Sequence, residues 1–346
     1  MTDDDTVRLL RARAQALAGG VREASAEAVV RRVFAVQAQD ATAADLGIRA
    51  RARDLTRQAV RAAYDDERSI VRGWFMRGTL HTVHAEDVHW LLRLLSPRTL
   101  AAGRRRYQQL GLDEDLRERS DRLIERALST HGPLTRAELT DRLTALGVPP
   151  EGQAPFHLIR HAALTGVLCH GPHRAGEPTY ALLADWLPTP TTPDRDAPTA
   201  LAELARRYLA AHAPATAQDF ATWSGLPITA VRTAWKSLPD PGHLEPPPPA
   251  PTDVRLIPAY DDYHLSHSTQ PLSVPAAHRP HIWPGGGVIR PTALANGLTF
   301  ATWTRTPVQL HPFTPVPPDL QPSLDQEVAA VTHFLTPTPP PGAKPG

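Results

Sequence analysis

Cysteine is nearly absent from this 346-residue chain, since Cys169 is the only one. One cysteine cannot form an intrachain disulfide or a multi-cysteine zinc site, and we interpret it as a buried side chain rather than a nucleophile. Lysine is also scarce: Lys236 and Lys344 are the only two among 37 basic residues, so arginine supplies nearly all of the positive charge. With the abundant alanine and proline, this bias indicates a GC-rich genome, although arginine also suits phosphate binding.

Long apolar runs are missing as well, because no stretch approaches the roughly 18 residues that cross a bilayer. The first residues, Met1–Asp5, are acidic and do not resemble a signal peptide, so we expect a cytoplasmic protein without membrane contact. The length predicts two to four small domains, and a hydrophobic content of 41% allows packed cores. A net charge of +1 neither requires nor excludes nucleic acid.

Residues 1–127 carry the pattern of helices followed by a hairpin. The predicted helices start at Val7, Ala26 and Arg57, and the second of them continues to Ala38. Two short strands are predicted around Arg77-Gly78, and helices over 85–95 and 100–110 follow. Three helices and a hairpin are typical of a winged-helix module.

The next two segments repeat this scheme. Residues 128–197 combine predicted helices with a wing over 166–182, and Thr135 with Glu138 forms a capping box at the start of one helix. Residues 198–245 repeat the helices alone, with Gly225-Leu226-Pro227 as the turn of a helix–turn–helix. The chain is therefore predicted to be mainly α with β, with three tandem winged-helix motifs.

The C-terminal part changes to strand patterns after a stiff polyproline linker over 245–251. Residues 252–335 predict a small β-domain, with strands at 254–257, 288–294 and 298–303 and a hairpin turn at Asn296-Gly297. A final helix is predicted over 324–335, with Ser323 as its N-cap and Gln326 completing a capping box. The proline-rich tail, 336–346, is predicted to be disordered.

Several polar groups are candidates for a site. Tandem helix–turn–helix modules favour nucleic acid, because such a helix fits the major groove, although purely architectural three-helix folds are the alternative. The cluster Arg104, Arg105 and Arg106 is either a solvated helix face or a contact to the phosphate backbone. Asp261 and Asp262 follow a predicted strand, where they hold a turn or enter a site.

Histidines offer a metal site that we do not favour. His157 and His161 are one helical turn apart, and His264 and His267 lie near the two aspartates. No acidic partner stands in a metalloprotease-type arrangement, and satisfied structural histidines are the simpler interpretation. The sequence therefore predicts no metal and no cofactor.

Gln37 and Gln39 lie at the end of an apolar run and are followed by Asp40. A glutamine amide cannot take a proton at neutral pH, but it can orient a water and donate to a developing charge. Taken alone, the pair is more simply two polar residues at a helix end. If it is a site, it serves a reaction that needs a positioned water more than a strong base.

Four motifs in order resemble the AlkZ/YcaQ family of winged-helix bacterial DNA glycosylases. They are Gln37-Ala38-Gln39, Arg77-Gly78-Thr79-Leu80-His81, Pro258-Ala259-Tyr260-Asp261-Asp262-Tyr263, and Arg290-Pro291-Thr292 with Asn296-Gly297 and Thr302-Trp303. The resemblance covers about residues 5–335. The segment 264–270 departs from many relatives, which carry an apolar run and then an arginine there.

The resemblance implies three tandem winged-helix motifs plus a β-barrel-like domain in a C-shaped clamp. It implies hydrolysis of the N-glycosidic bond of N7-alkylguanine, including unhooking of interstrand crosslinks, on double-stranded DNA by a monomer. Gln37 and Gln39 match the family's catalytic Gln-x-Gln motif, a form found in the branch that protects producers of azinomycin-type compounds. Asp40, Asp261 and Asp262 are candidates for catalytic support. The candidate DNA contacts are Arg77, His81, Arg104, Arg105 and Arg106.

This chemistry explains how two amides suffice. Alkylation at N7 makes guanine a cationic leaving group, so no general acid is needed, unlike in a glycosidase that protonates its leaving oxygen. The remaining task is to hold water against an oxocarbenium-like carbon. Asp40 would orient a glutamine, stabilise the cation or cap a helix. A non-catalytic DNA-binding regulator and a lesion sensor that binds without cutting are the alternative functions.

Overall fold

The structure is a computed structural model that describes residues 3–187, 195–239, 252–267 and 271–336. Helices dominate these ranges, and the strands form three small antiparallel sheets. This arrangement confirms the mainly α class with a β contribution. No helix in the described ranges is both long and apolar enough to cross a membrane.

The first segment contains a three-stranded sheet in the order β1-β3-β2. Its elements are α1 (Asp4–Ala14), α2 (Ala26–Val33), β1 (Ala35–Gln37), α3 (Ala41–Arg51), α4 (Arg57–Asp65), β2 (Ile70–Trp74), β3 (Leu80–His84) and α5 (Val88–Gln109). The hydroxyls of Ser25 and Thr56 cap α2 and α4 by accepting hydrogen bonds from Ala28 N and Ala59 N.

Two predictions for this segment are wrong. The second helix ends at Val33 rather than Ala38, because Phe34 adopts φ 69° and the chain continues as β1. The predicted helices over 85–95 and 100–110 are one continuous helix, α5, which runs through Pro97. An internal proline removes one backbone donor, and here that loss does not end the helix.

The second segment has a sheet in the order β4-β6-β5. Its elements are α6 (Glu114–His131), β4 (Leu134–Thr135), α7 (Arg136–Leu143), α8 (Ala154–Leu164), β5 (Leu168–Arg174), β6 (Glu177–Leu182) and α9 (Leu183–Trp186). The capping box of Thr135 and Glu138 is confirmed, and β5 with β6 forms the predicted hairpin.

The third segment contributes α10 (Ala197–His212), α11 (Ala217–Ser224) and α12 (Ile228–Trp235). The predicted turn between α11 and α12 is confirmed, because Gly225 ends α11 with φ 75°. The polyproline linker over 245–251 lies outside the described residues. The three segments keep their winged-helix interpretation as a prediction.

The last segment contains a four-stranded sheet in the order β10-β9-β8-β7. Its elements are β7 (Val254–Ile257), α13 (Asp262–Leu265), α14 (Arg279–Ile282), β8 (Thr292–Ala295), β9 (Leu298–Arg305), β10 (Val308–Pro312) and α15 (Gln321–Leu335). The Asn296-Gly297 turn between β8 and β9 is confirmed, with φ 47° and 77° at its two residues.

Three predictions for this segment need correction. In the described residues the sheet is open, with β7 and β10 at its two edges, so the barrel-like expectation is wrong. Helix α15 packs beside β7, and the carboxylate of Glu327 accepts a hydrogen bond from Leu256 N at 3.0 Å. The strand predicted from 288 starts only at Thr292, and α15 begins at Gln321, which leaves Ser323 inside the helix. The tail beyond residue 336 lies outside the described residues.

Strand β1 lies between the two largest hydrophobic cores. Phe34 and Ala35 pack into a core that includes Trp90 and Trp223, whereas Val36 packs into a second core with α2, α3 and α15. Alternating side chains of a strand point to opposite faces, so both cores hold the short strand in place. Gln37 follows directly on this anchored segment.

Candidate active site

The two glutamines lie next to each other at the end of β1. Gln37 Nε2 donates to Gln39 Oε1 at 2.6 Å, and Arg77 Nη2 donates to Gln37 Oε1 at 3.1 Å. Gln37 is half-buried and pairs with His81 across the sheet, whereas Gln39 is exposed. Each amide oxygen keeps a second lone pair, so the pair can accept both protons of one water.

The backbone around the glutamines is held by partners from other elements. Ala38 N donates to Leu80 O at 2.8 Å, which continues the pairing with β3. Arg72 reaches from β2, with Nε donating to Ala38 O at 2.8 Å and Nη2 donating to Gln39 O at 3.3 Å. These bonds fix a segment that would otherwise be a free loop. Arg72 is not among the residues that the sequence predicts for the site.

Phe34 sets the direction in which β1 leaves α2. Its φ of 69° with ψ of −43° lies in a region that side chains rarely occupy, at a cost of about 1–3 kcal/mol. The ring compensates by packing: it stacks on Trp90 at a centroid distance of 6.1 Å, and Arg207 lies 5.5 Å above it. The glutamine segment is thus reached through a turn that only a packed core sustains.

Asp262 binds the backbone of Gln37. Its Oδ2 accepts a hydrogen bond from Gln37 N at 2.7 Å, while its buried Oδ1 has no partner among the described residues. Burial, together with the charge of Asp261, raises the pKa of Asp262 to about 6. The structure therefore places this aspartate against Gln37, which is one of the two alternatives that the sequence leaves open.

Asp261 has a different role from its neighbour. It forms a buried, two-pronged ion pair with Arg51, with distances of 2.9 and 2.7 Å, and it caps α13. Burial alone would raise the pKa of Asp261, but the charge and hydrogen bonds of Arg51 outweigh burial and hold the pKa below its usual value. Arg51 also donates to Gln15 Oε1 at 2.8 Å. Because Arg51 lies in the first segment and Asp261 in the last, their ion pair joins the two segments.

Asp40 caps α3 and does not bond to either glutamine. Its Oδ1 accepts from Ala43 N at 3.1 Å, and Arg305 donates to its Oδ2 at 2.9 Å. Of the three roles considered, helix capping is the one that the geometry shows. Its exposed carboxylate nevertheless follows Gln39 directly and keeps negative charge close to the site.

The candidate DNA contacts divide into two groups. Arg77 is exposed beside Gln37, Arg104 and Arg105 are exposed on α5, and Arg106 bonds to Gln109 and Gln153. Their contact with DNA stays a prediction. The contact of His81 is corrected: the ring is fully buried, and burial, with the charge of Arg77, lowers the pKa of His81 to about 3. An uncharged, buried ring cannot reach a phosphate.

The two histidines that follow the aspartates, His264 and His267, are hydrogen-bonded in the interior. His264 contacts Ser273 Oγ at 3.0 Å and Thr292 Oγ1 at 2.8 Å, and His267 Nε2 lies 2.7 Å from His212 O. Within the described ranges no group of three or more His, Cys, Asp or Glu side chains is arranged to hold a metal ion. Residues 268–270 of the departing segment lie outside those ranges.

The candidate site is thus a pair of contacting amides on a backbone segment that neighbouring helices and strands hold in place. Residues 30–334 match the model of a family described as DNA glycosylase AlkZ-like. The chain belongs to the AlkZ-like DNA glycosylase family, and it is an enzyme of that class. The family expected from the four sequence motifs is thereby confirmed.

Two matches, one to a sequence and one to a solved structure, come from Streptomyces sahachiroi. An interstrand DNA cross-link repair glycosylase is 29% identical over 318 residues, covering 81% of this chain and 82% of that protein. The structure of the DNA glycosylase AlkZ superposes with a TM-score of 0.79 at 23% identity and covers 96% of both chains. The second match shows a shared fold along nearly the whole length, and the chain is a homologue of the cross-link repair enzyme.

Proposed function

We propose that this enzyme hydrolyses the N-glycosidic bond of N7-alkylguanine in double-stranded DNA and unhooks interstrand crosslinks. The observation that carries the proposal is the contact between the side chains of Gln37 and Gln39, which lies where a fixed backbone meets solvent. Because Gln37 and Gln39 match the Gln-x-Gln form of the family motif, we propose azinomycin-type adducts as the physiological lesions and self-resistance as the biological role.

The chemistry needs no protonated group. A guanine alkylated at N7 carries a positive charge and leaves C1′ as a neutral base. Water held by the two amide oxygens adds to the oxocarbenium-like carbon, and the proton that it then loses passes to solvent. Positioning of this kind lowers a barrier by several kcal/mol without an acid or base of matched pKa.

Neighbouring charges assist this step in our proposal. The carboxylate of Asp262, one hydrogen bond from Gln37, and that of Asp40, next to Gln39, place negative charge on the side of a developing cation. Arg77 orients the Gln37 amide through its oxygen. Asp261 acts indirectly, because its ion pair with Arg51 holds the loop on which Asp262 lies.

DNA binding is assigned to the three helical segments, which we propose are winged-helix modules in a clamp around the duplex. An open clamp suits a crosslinked base, which cannot easily be flipped into a deep pocket. We propose that one chain acts alone, as a monomer on cytoplasmic DNA, without cofactor or metal.

The test is release of free base from a defined lesion. Purified protein is incubated with a duplex that carries one N7-methylguanine, and free 7-methylguanine is quantified by mass spectrometry. The proposal expects free base and an equal amount of abasic sites. Binding of the duplex without base release would contradict it and favour the regulator or lesion sensor. A duplex with one N7–N7 crosslink then tests unhooking separately.

A further inference from the structure

A cleft of about 430 Å³ lies beside Arg77, outside the glutamine pair. It is bounded by α5, α8, the end of α11 and the turn over 76–78. Phe75, Leu95 and Leu226 supply apolar wall, and Arg77, Arg98 and Arg160 supply three guanidinium groups. No sequence pattern marks Arg98 or Arg160, because neither lies in a basic run.

The three arginines are held by backbone carbonyls rather than by carboxylates. Arg98 Nε donates to Gly225 O at 3.1 Å, Arg160 Nη2 donates to Gly78 O at 3.0 Å, and Arg77 Nη1 donates to Trp223 O. Among the described residues, no carboxylate forms an ion pair with any of the three. Each guanidinium has five N–H donors, so each keeps donors for a ligand.

Two glycines make these carbonyl contacts possible. Both Gly78 and Gly225 have positive φ, of 66° and 75°. A Cβ at Gly78 would lie 2.8 Å from Arg160 Nη2, and a Cβ at Gly225 would lie 3.1 Å from Arg77 Cγ. The close approach of backbone to guanidinium therefore depends on glycine at both positions, and it sets the three side chains around one cleft.

We propose that this cleft binds a phosphodiester of the DNA backbone on the α5 and α8 side of the glutamine pair. A guanidinium fork matches phosphate geometry, and three guanidinium groups without an ion-pair partner among the described residues select an anion. Arg77 joins the two sites, since it also donates to Gln37 Oε1, so a bound phosphate would fix the strand relative to the amide pair. The inference rests on the proposed function in that the ligand is taken to be DNA.

The first test compares the salt dependence of binding to an undamaged 21-base-pair duplex by fluorescence anisotropy. Each phosphate contact contributes about 0.9 to the slope of log K against log salt. The Arg98→Gln/Arg160→Gln variant is expected to lower the slope by about 1. The matched control, Arg122→Gln/Arg126→Gln, removes two exposed charges from α6 and is expected to leave the slope unchanged. Equal slopes for the two variants would overturn the proposal.

The second test identifies the phosphate itself. In duplexes with one methylphosphonate at successive positions, neutralising the correct phosphate is expected to weaken wild-type binding at least fivefold and variant binding less than twofold. Arg98→Lys/Arg160→Lys keeps both charges and is expected to keep the salt slope of the wild type, which separates lost charge from misfolding. A scan without a sensitive position, or equal sensitivity in wild type and variant, overturns the proposal. Because both tests use undamaged DNA, their outcomes do not depend on whether the enzyme releases a base.

Discussion

Replacing Asp262 by asparagine tests how the protein holds a carboxylate behind Gln37. An ordinary aspartate has a pKa near 3.8, whereas burial and the charge of Asp261 raise the pKa of Asp262 to about 6. At about 1.4 kcal/mol per pKa unit, the ionised carboxylate lowers the free energy of unfolding by about 3 kcal/mol above pH 6. The folded protein binds this proton more tightly, so the penalty is absent below about pH 4 and grows between pH 4 and 6.

Urea denaturation of wild type and Asp262→Asn across pH 4–8 measures this difference. The variant is expected to be more stable by up to about 3 kcal/mol at pH 7.5, with the gain vanishing near pH 4. Asp261→Asn is the matched control with the opposite sign, because it leaves Arg51 buried and unpaired and costs about 3–5 kcal/mol at neutral pH. A pH-independent difference, or a less stable Asp262→Asn at pH 7.5, would refute the reasoning.

The same variant separates stability from activity. Its amide oxygen still accepts the hydrogen bond from Gln37 N, so the glutamines stay in place while the charge is lost. Base release from N7-methylguanine duplex is expected to slow at least tenfold, about 1.4 kcal/mol of barrier, in single-turnover assays. Wild-type rates would show that the charge of Asp262 has no part in the reaction.

Three further substitutions test the frame around the site. Arg72→Met removes the donors to two carbonyls of the glutamine segment. It is expected to slow base release about tenfold with little change in duplex affinity. An equal loss of affinity would contradict a positioning role. Gly297 has φ 77°, and a Cβ added there would lie 2.5 Å from Ala12 Cβ. Gly297→Ala is therefore expected to lower the free energy of unfolding by more than about 1 kcal/mol in thermal unfolding. An unchanged Tm would refute this expectation. Arg51→Met leaves Asp261 unpaired. It is expected to lower the free energy of unfolding by about 3–5 kcal/mol in urea titrations at pH 7, and by less at pH 3. An equal loss at both pH values would contradict the role of the ion pair.

Local patterns in the sequence predicted much of the helical framework. The capping box of Thr135 and Glu138, the Gly225 turn and the Asn296-Gly297 hairpin depend on residues within a few positions of each other, and all three are confirmed. Such signals report short-range hydrogen bonds and backbone conformations, which a sequence states directly.

The site itself depends on contacts between distant segments. Strand β1 has only three residues and exists because β3 pairs with it. Without that distant partner, its apolar run predicts the end of a helix. The partners of the backbone at 37–39, Arg72 and Asp262, lie 34 and 225 positions away along the chain. No local pattern marks such partners, although the order of the motifs did associate Asp262 with the site. The open sheet likewise depends on how α15 packs beside β7, which strand patterns do not reveal.

The central claim is that Gln37 and Gln39 position the attacking water. Its most direct test is single-turnover release of 7-methylguanine from a duplex by Gln37→Ala/Gln39→Ala, with duplex affinity measured in parallel and Gln326→Ala, an exposed glutamine on α15, as control. We expect base release to fall at least 100-fold while affinity changes less than threefold and the control behaves as wild type. Base release by the double variant at the wild-type rate would contradict the account.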